Sequence, residues 1–283
     1  MLKRIAKLIL LLIVSLAPLL IIPQFFDPLN LRNNDDIYRL IKIFECANAD
    51  CTRLRLPAGT TSFPHGWSVT TEADGARRVP DNAPDCRVKI ALIGDSFTWG
   101  PNVNDDETWA NRLAQQFPVA CFYNYGGWGY NAEQVALTLD EQVPADMDFV
   151  LYFILQNDNM GMYLPGEIGP PPPKLNAVRY GELIAWRLGL GGGNDTWAVD
   201  EPRYPDRFAA AIQHMAADPR LHFFGFEDEL LVHVVRDMGY DVFGLSLPPK
   251  SQRISTIDYH LNAAGDRNLA EHLAPLIQQL VGE

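Results

Sequence analysis

The chain has 283 residues, 47% of them hydrophobic, which is enough for one sizeable α/β core with an N-terminal extension. Its 35 acidic against 23 basic side chains give a formal net charge of -12 with no basic run. That balance argues against nucleic acid as a partner, because tracking phosphates needs a basic surface, and it disfavours adhesion to anionic membrane surfaces.

Residues 1–26 differ from everything after them. Lys3, Arg4 and Lys7 precede an uncharged stretch from Leu8 to Phe26, which at about 1.5 Å per residue is just long enough to cross a hydrocarbon core. An uncleaved signal anchor, a transmembrane helix with its basic end in the cytoplasm and the remainder exported, is the expected reading. A cleaved signal peptide is the rival: Ser15-Leu16-Ala17 carries the small residues of a cleavage site, but Pro18 directly after the cut disfavours processing. Residues 27–85 are rich in turn formers. They are expected to be a strap packed on the main domain, 86–283, with a helical stretch around Asp36 to Phe44, a solvated His65 and a short strand or hairpin within Ser68 to Arg78.

Val88 to Ile93 has the length and character of a buried parallel strand and stops abruptly at Gly94. Ser96 then sits on a strand-to-helix connection at the carboxyl end of a sheet, where open α/β sheets bind ligands. Alone, a Gly-Asp-Ser turn is accounted for by a hydroxyl that satisfies backbone groups. The acidic run Asn104 to Glu107 lacks the Asp-x-Asp-x-Asp-Gly calcium pattern and reads as the N-terminal capping of a helix through Phe117. Val119 to Tyr125 is the second strand. Gly126, Gly127 and Gly129 follow it, and an exposed N–H from Gly129 is what an oxyanion hole needs. Asn131 to Gln142 reads as a helix.

Phe149 to Leu155 is apolar almost throughout and is expected to be the central third strand. At its end Asn157 can donate a side-chain amide to a developing oxyanion, while Asp158 is placed to hold the loop. Residues 160–205 form a long insertion, with Pro170 to Pro173 and Gly191 to Gly193 flanking an amphipathic stretch. Together with Trp99, Trp128 and Tyr130 it is expected to shape an acyl or sugar pocket, packing being the other reading of these aromatics. Further helices are expected over Arg207 to Ala217, Glu227 to Met238 and Ala263 to Val281, and strands near Leu221 to Phe226 and Asp241 to Leu247. His214, His233 and His272 fall inside helices and read as structural. His260 lies in the loop before the last helix.

Four blocks now stand in order: Gly94-Asp95-Ser96, Gly129, Asn157-Asp158, and Asp258-Tyr259-His260. In order and spacing the chain from about Cys86 onward resembles the SGNH (GDSL-type) hydrolase superfamily, whose members include esterases, lipases, carbohydrate deacetylases and some acyltransferases. The resemblance implies a three-layer α/β/α, flavodoxin-like fold with a mainly parallel five-stranded sheet. It implies Ser96 as nucleophile, His260 as base and Asp258 as orienting acid, with an oxyanion hole from the N–H groups of Ser96 and Gly129 and the amide of Asn157. Asp95 and Asp158 are supporting residues, and neither cofactor nor metal is called for. Two departures stand out: Leu155 and Gln156 where a Gly-x pair is usual, and an Asp-x-His spacing in place of Asp-x-x-His.

The flavodoxin-like order makes the first two strands parallel neighbours, so Cys86 and Cys121 at their starts are placed to bridge. Of the three pairings four cysteines allow, Cys46 with Cys51 and Cys86 with Cys121 are expected, in keeping with export. The sequence thus points to a serine ester hydrolase acting on O-acyl, first of all O-acetyl, esters of envelope or extracellular carbohydrate. Its rivals are an O-acyltransferase using the same acyl-enzyme and a non-catalytic, membrane-tethered carbohydrate-binding or assembly protein.

Overall fold

Five runs of residues alternate their side chains between two apolar faces, and they form one parallel sheet. They are β5 (Val88–Gly94), β6 (Ala120–Asn124), β7 (Phe149–Ile154), β8 (Leu221–Phe226) and β9 (Val242–Leu245), in spatial order β6-β5-β7-β8-β9. This is the 2-1-3-4-5 order of flavodoxin-like sheets, with β7 at the centre as expected. The chain is described here from a computed structural model over residues 43–63, 66–160, 205–254 and 259–282, with residues 17, 18, 21, 22, 178, 180, 181 and 184 as isolated positions. The expected anchor, most of the helix over 36–44, His65, most of the 160–205 insertion and Asp258 lie outside the described residues. Among the described residues no helix is long and apolar enough to cross a membrane.

Along β5, Ile90 and Leu92 face one side while Ala91 and Ile93 face the other. Along β7, Leu151 and Phe153 oppose Val150, Tyr152 and Ile154 in the same way. Helices cover both faces and complete three layers. After the single turn α1 (Ser96–Trp99), α2 (Trp109–Gln116) and α6 (Ala263–Val281) pack on the Leu92 face; α3 (Ala132–Glu141), α4 (Pro205–Met215) and α5 (Leu230–Asp237) cover the other. Caps fix where they begin: Thr108 accepts from the Asn111 N–H, Asn131 from Gln134, and Asn262 from Ala264 and Gly265. The fifth helix starts at Leu230, later than the sequence pattern suggests, because the Glu227 N–H pairs with the Leu245 carbonyl and prolongs the β8 edge.

Ahead of the sheet, β1 (Glu45–Cys46) pairs with β2 (Leu54–Arg55), and β3 (Gly59–Ser62) forms an antiparallel hairpin with β4 (Ser68–Thr71). The hairpin buries Trp67 and Val69 against Leu56, Phe63 and Trp99. Arg77, which follows it, makes isolated bridges to Thr71 and to Asn124 at the end of β6. The segment is thereby built into the edge beside the nucleophile turn.

Both expected disulfides form, Cys46 with Cys51 and Cys86 with Cys121. The second joins the amino ends of β5 and β6, and two bridges fit an extracytoplasmic domain. It closes a loop of 35 residues. Replacing Cys86 and Cys121 together by Ser is expected to cost about 3–4 kcal/mol of stability, read as a lower urea midpoint with an intact sheet signature by circular dichroism.

Candidate active site

The serine is placed by backbone geometry before any side chain acts. Gly94 ends β5 at φ +150°, and a Cβ there would fall on the Thr98 hydroxyl, so only glycine makes this turn. Asp95 is the N-cap, its Oδ1 accepting from the Phe97 N–H at 2.8 Å, and Ser96 opens α1 at the sheet's carboxyl edge. The turn is fastened from outside. The buried Arg77 guanidinium donates to the carbonyls of Trp99 (2.9 Å), Gly100 and Val103 (2.7 Å) while its Nε pairs with Asp105 (2.9 Å). Asn124, at the end of β6, donates to the Thr98 carbonyl at 2.7 Å.

His260 arrives from the opposite end of the chain. Its Nε2 lies 2.7 Å from Ser96 Oγ, a hydrogen bond between residues 164 apart in sequence. The loop that carries it is held by its own backbone, Ile254 N–H to the His260 carbonyl at 2.8 Å and Asn262 N–H to the Gln252 carbonyl at 3.0 Å. Asn262 also donates its side chain to the Arg253 carbonyl at 2.9 Å. Two aromatic rings contact the imidazole, Phe97 at 5.0 Å and Trp128 at 5.5 Å between centroids, each tilted from it by less than 40°. Rings so placed restrict the imidazole's rotation. Ser96 and His260 are 6% and 9% exposed, dry enough to strengthen their hydrogen bond yet open to a ligand.

The N–H groups of Ser96 and Gly129 make no hydrogen bond to the described residues. Gly129 is left-handed at φ +65°, a conformation that favours glycine. The Asn157 amide gives one N–H to Asp95 Oδ2 at 2.7 Å, which orients the group and leaves its second N–H for another acceptor. The loop carrying Asn157 is in turn held by Asp158, whose Oδ2 accepts from the Leu155 N–H (2.9 Å) and the Tyr152 hydroxyl (2.8 Å). The replacement of the usual small residue by Leu155 is absorbed by the core, where that side chain is buried.

Acidic groups line the strand ends. Burial lifts the Asp95 carboxyl above the ordinary range, against the pull of the Asn157 and Phe97 donors and the nearby His260. Asp158 is raised further, by burial and then by the charge of Asp95. Glu229, at the start of α5, is pushed up to about 7 by burial and by the Asp95 charge, with the Gln156 N–H opposing.

Hydrogen bonds link Ser96 to His260 and to Asp95, and Asp95 to Asn157, with Asp158 holding the Asn157 loop, while Gly129 lies in the loop after β6; Asp258 lies outside the described residues. Of the three aromatics expected at a substrate pocket, Trp128 reaches the site. Tyr130 instead donates its hydroxyl to the Leu54 carbonyl at 2.7 Å, and Trp99 packs among Trp67, Phe44 and the Arg77 guanidinium. The gap they share is about 10 Å³, too small for a ligand, so these two are packing residues. Arg77, Phe97 and Glu229 escape the sequence reading. Only Glu229 carries a usable signal, an acid just past a strand's carboxyl end.

No protein-family model matches the chain, and no curated protein matches it. Solved structures similar to it include a member of the lipolytic protein G-D-S-L family from Veillonella parvula, 14% identical with a TM-score of 0.41, covering 68% of this chain and 98% of that one. A carbohydrate acetylesterase family member from Sinorhizobium meliloti is 15% identical with a TM-score of 0.40 over 69% of this chain and all, 100%, of its own. A two-domain esterase active on acetylated mannans is 13% identical with a TM-score of 0.44, over 69% of this chain and 50% of its own.

The Glu229 shift has a sign that can be checked. Its carboxyl holds a proton in the folded state that the unfolded chain releases near 4.5. The folded state therefore binds more protons between about 4.5 and 7, and stability falls as pH rises through that window. Glu229→Gln, which cannot ionise, is expected to gain on the wild type over that interval, by at most about 3 kcal/mol, in urea titrations run from pH 4 to pH 9.

Proposed function

We propose that this chain is a serine ester hydrolase that acts on O-acyl, chiefly O-acetyl, esters of envelope or extracellular carbohydrate. The observation that carries the reading is the 2.7 Å contact between Ser96 Oγ and His260 Nε2 at the sheet's carboxyl edge, with free amide donors beside it. In this reading His260 takes the hydroxyl proton as Ser96 attacks the ester carbonyl, then returns it to the leaving alcohol. Asp258 orients the imidazole and supports its charged form. The tetrahedral oxyanion rests on the N–H groups of Ser96 and Gly129 and the second N–H of Asn157, and water then hydrolyses the acyl-enzyme. Each donor is fixed before substrate arrives, Asn157 by Asp95 and Ser96 by the turn that Arg77 fastens, so little reorganisation is left for the reaction itself.

In this reading the domain is exported, which the two disulfides support, and residues 1–26 hold it at the membrane. An O-acyltransferase would use the same acyl-enzyme with a sugar hydroxyl in place of water, and a binding protein would leave the serine inert.

Three measurements separate these. A fluorophosphonate probe is expected to label the wild type and not Ser96→Ala; absence of labelling in the wild type removes the enzyme reading. Supplying p-nitrophenyl acetate with and without neutral oligosaccharide is expected to release acetate in both cases, whereas acetylated sugar in place of acetate would mark a transferase. Asn157→Ala is expected to lower kcat by about 10²–10³-fold, the usual consequence of losing one oxyanion donor.

A further inference from the structure

One cavity in the protein abuts the candidate active site and has no part in the chemistry proposed there. It measures about 460 Å³, within the range of about 300–1,000 Å³ typical of small-molecule pockets, and is far larger than an acetyl group requires. It lies over the carboxyl ends of β7, β8 and β9, on the side of Ser96 away from Gly129 and Trp128. Asn157 belongs to both its wall and the oxyanion hole, and Phe97 stands between it and His260. An ester held at Ser96 would reach this space past Phe97 and Asn157, which line it.

We infer that this cavity is a sugar subsite, in which the Glu229 carboxyl and the Arg253 guanidinium hydrogen-bond ring hydroxyls while the apolar wall takes the C–H face of the ring. The inference rests on the ester-hydrolase reading and assigns the residues that hold the sugar moiety of its substrate.

The wall decides between ligand classes. Phe97, Leu155, Phe226 and Leu261 give it an apolar side, and Asp228, Glu229 and Arg253 a polar one. Arg253 lies 4.8 Å over the Tyr259 ring and donates to the Pro248 carbonyl at 3.4 Å, so most of its five donors remain available. An acyl chain filling the cavity would strip water from Glu229 and Arg253 and return no hydrogen bond, which is a net loss. An anionic ligand would meet two carboxyls for one guanidinium, and a cationic one would meet the guanidinium. A neutral polyol suits both, since each hydroxyl donates to Glu229 or accepts from Arg253. Burial of Glu229 concentrates that selectivity, because a half-buried carboxyl discriminates against any partner that fails to pair with it.

The test uses the full chain carrying Ser96→Ala, so that binding is read without turnover. Calorimetric titration with mannopentaose, xylopentaose and cellopentaose is expected to show binding of at least one. Adding Glu229→Ala should weaken that binding at least tenfold, and Glu229→Gln less, because the amide keeps an acceptor. Leu247→Trp narrows the mouth from a position 42% exposed, where the fold tolerates the larger side chain, and it should weaken binding comparably. In the active protein, Glu229→Ala should lower at least tenfold the ratio of kcat/KM for an acetylated oligosaccharide to that for p-nitrophenyl acetate. The subsite is overturned if none of the three sugars binds, or if Glu229→Ala and Leu247→Trp bind as tightly as the Ser96→Ala parent. It is also overturned if p-nitrophenyl octanoate outcompetes the acetate ester and Leu247→Trp removes that preference, which would make the cavity an acyl pocket. Wild-type turnover of p-nitrophenyl acetate reports separately on the hydrolase reading, so the two can fail independently.

Discussion

A single buried carboxylate, that of Asp95, holds the candidate site in register. One oxygen accepts the Phe97 N–H and so starts the turn that presents Ser96; the other accepts the Asn157 amide and lies 3.4 Å from Ser96 Oγ. Neighbouring strands, β5 and β7, are thereby joined above the sheet at the point where their loops diverge. Burying such a group is costly, and here the cost is offset by donors that are themselves components of the site. Burial lifts Asp158 and Glu229, and the Asp95 charge adds to both.

The two sides of the nucleophile are unlike. Toward β6, Trp99, Tyr130 and the glycine loop close on one another with a gap of only about 10 Å³. Toward β8 and β9 a wide cavity opens. The closed side supplies rigidity and the Trp128 ring against His260. The open side can vary in shape without disturbing those groups, which is how one constellation of residues is adapted to different esters.

Much of this was legible in the sequence. Uninterrupted apolar runs identify buried parallel strands, and the abrupt stop at Gly94 locates the nucleophile turn to the residue. His260 stands out because it alone among the histidines considered for catalysis falls in a loop at the sheet's carboxyl edge. What escaped was set by contacts remote in the chain. Arg77 looks like any arginine in a turn-rich segment, and its burial follows only from the bridge to Asn124. Tyr130 sits one residue beyond Gly129, and nothing local tells that its hydroxyl turns to the Leu54 carbonyl and away from a ligand. Helix boundaries moved for similar reasons, as at Glu227, where strand pairing with Leu245 overrides helical periodicity.

The fastening of the nucleophile turn by Arg77 has a consequence for assembly of the site. A guanidinium from outside the α/β core caps three carbonyls at and just beyond the end of α1. The geometry of the turn that presents Ser96 therefore depends on a segment that precedes the sheet in sequence, so the scaffold around that hydroxyl is completed only when the leading strap is in place.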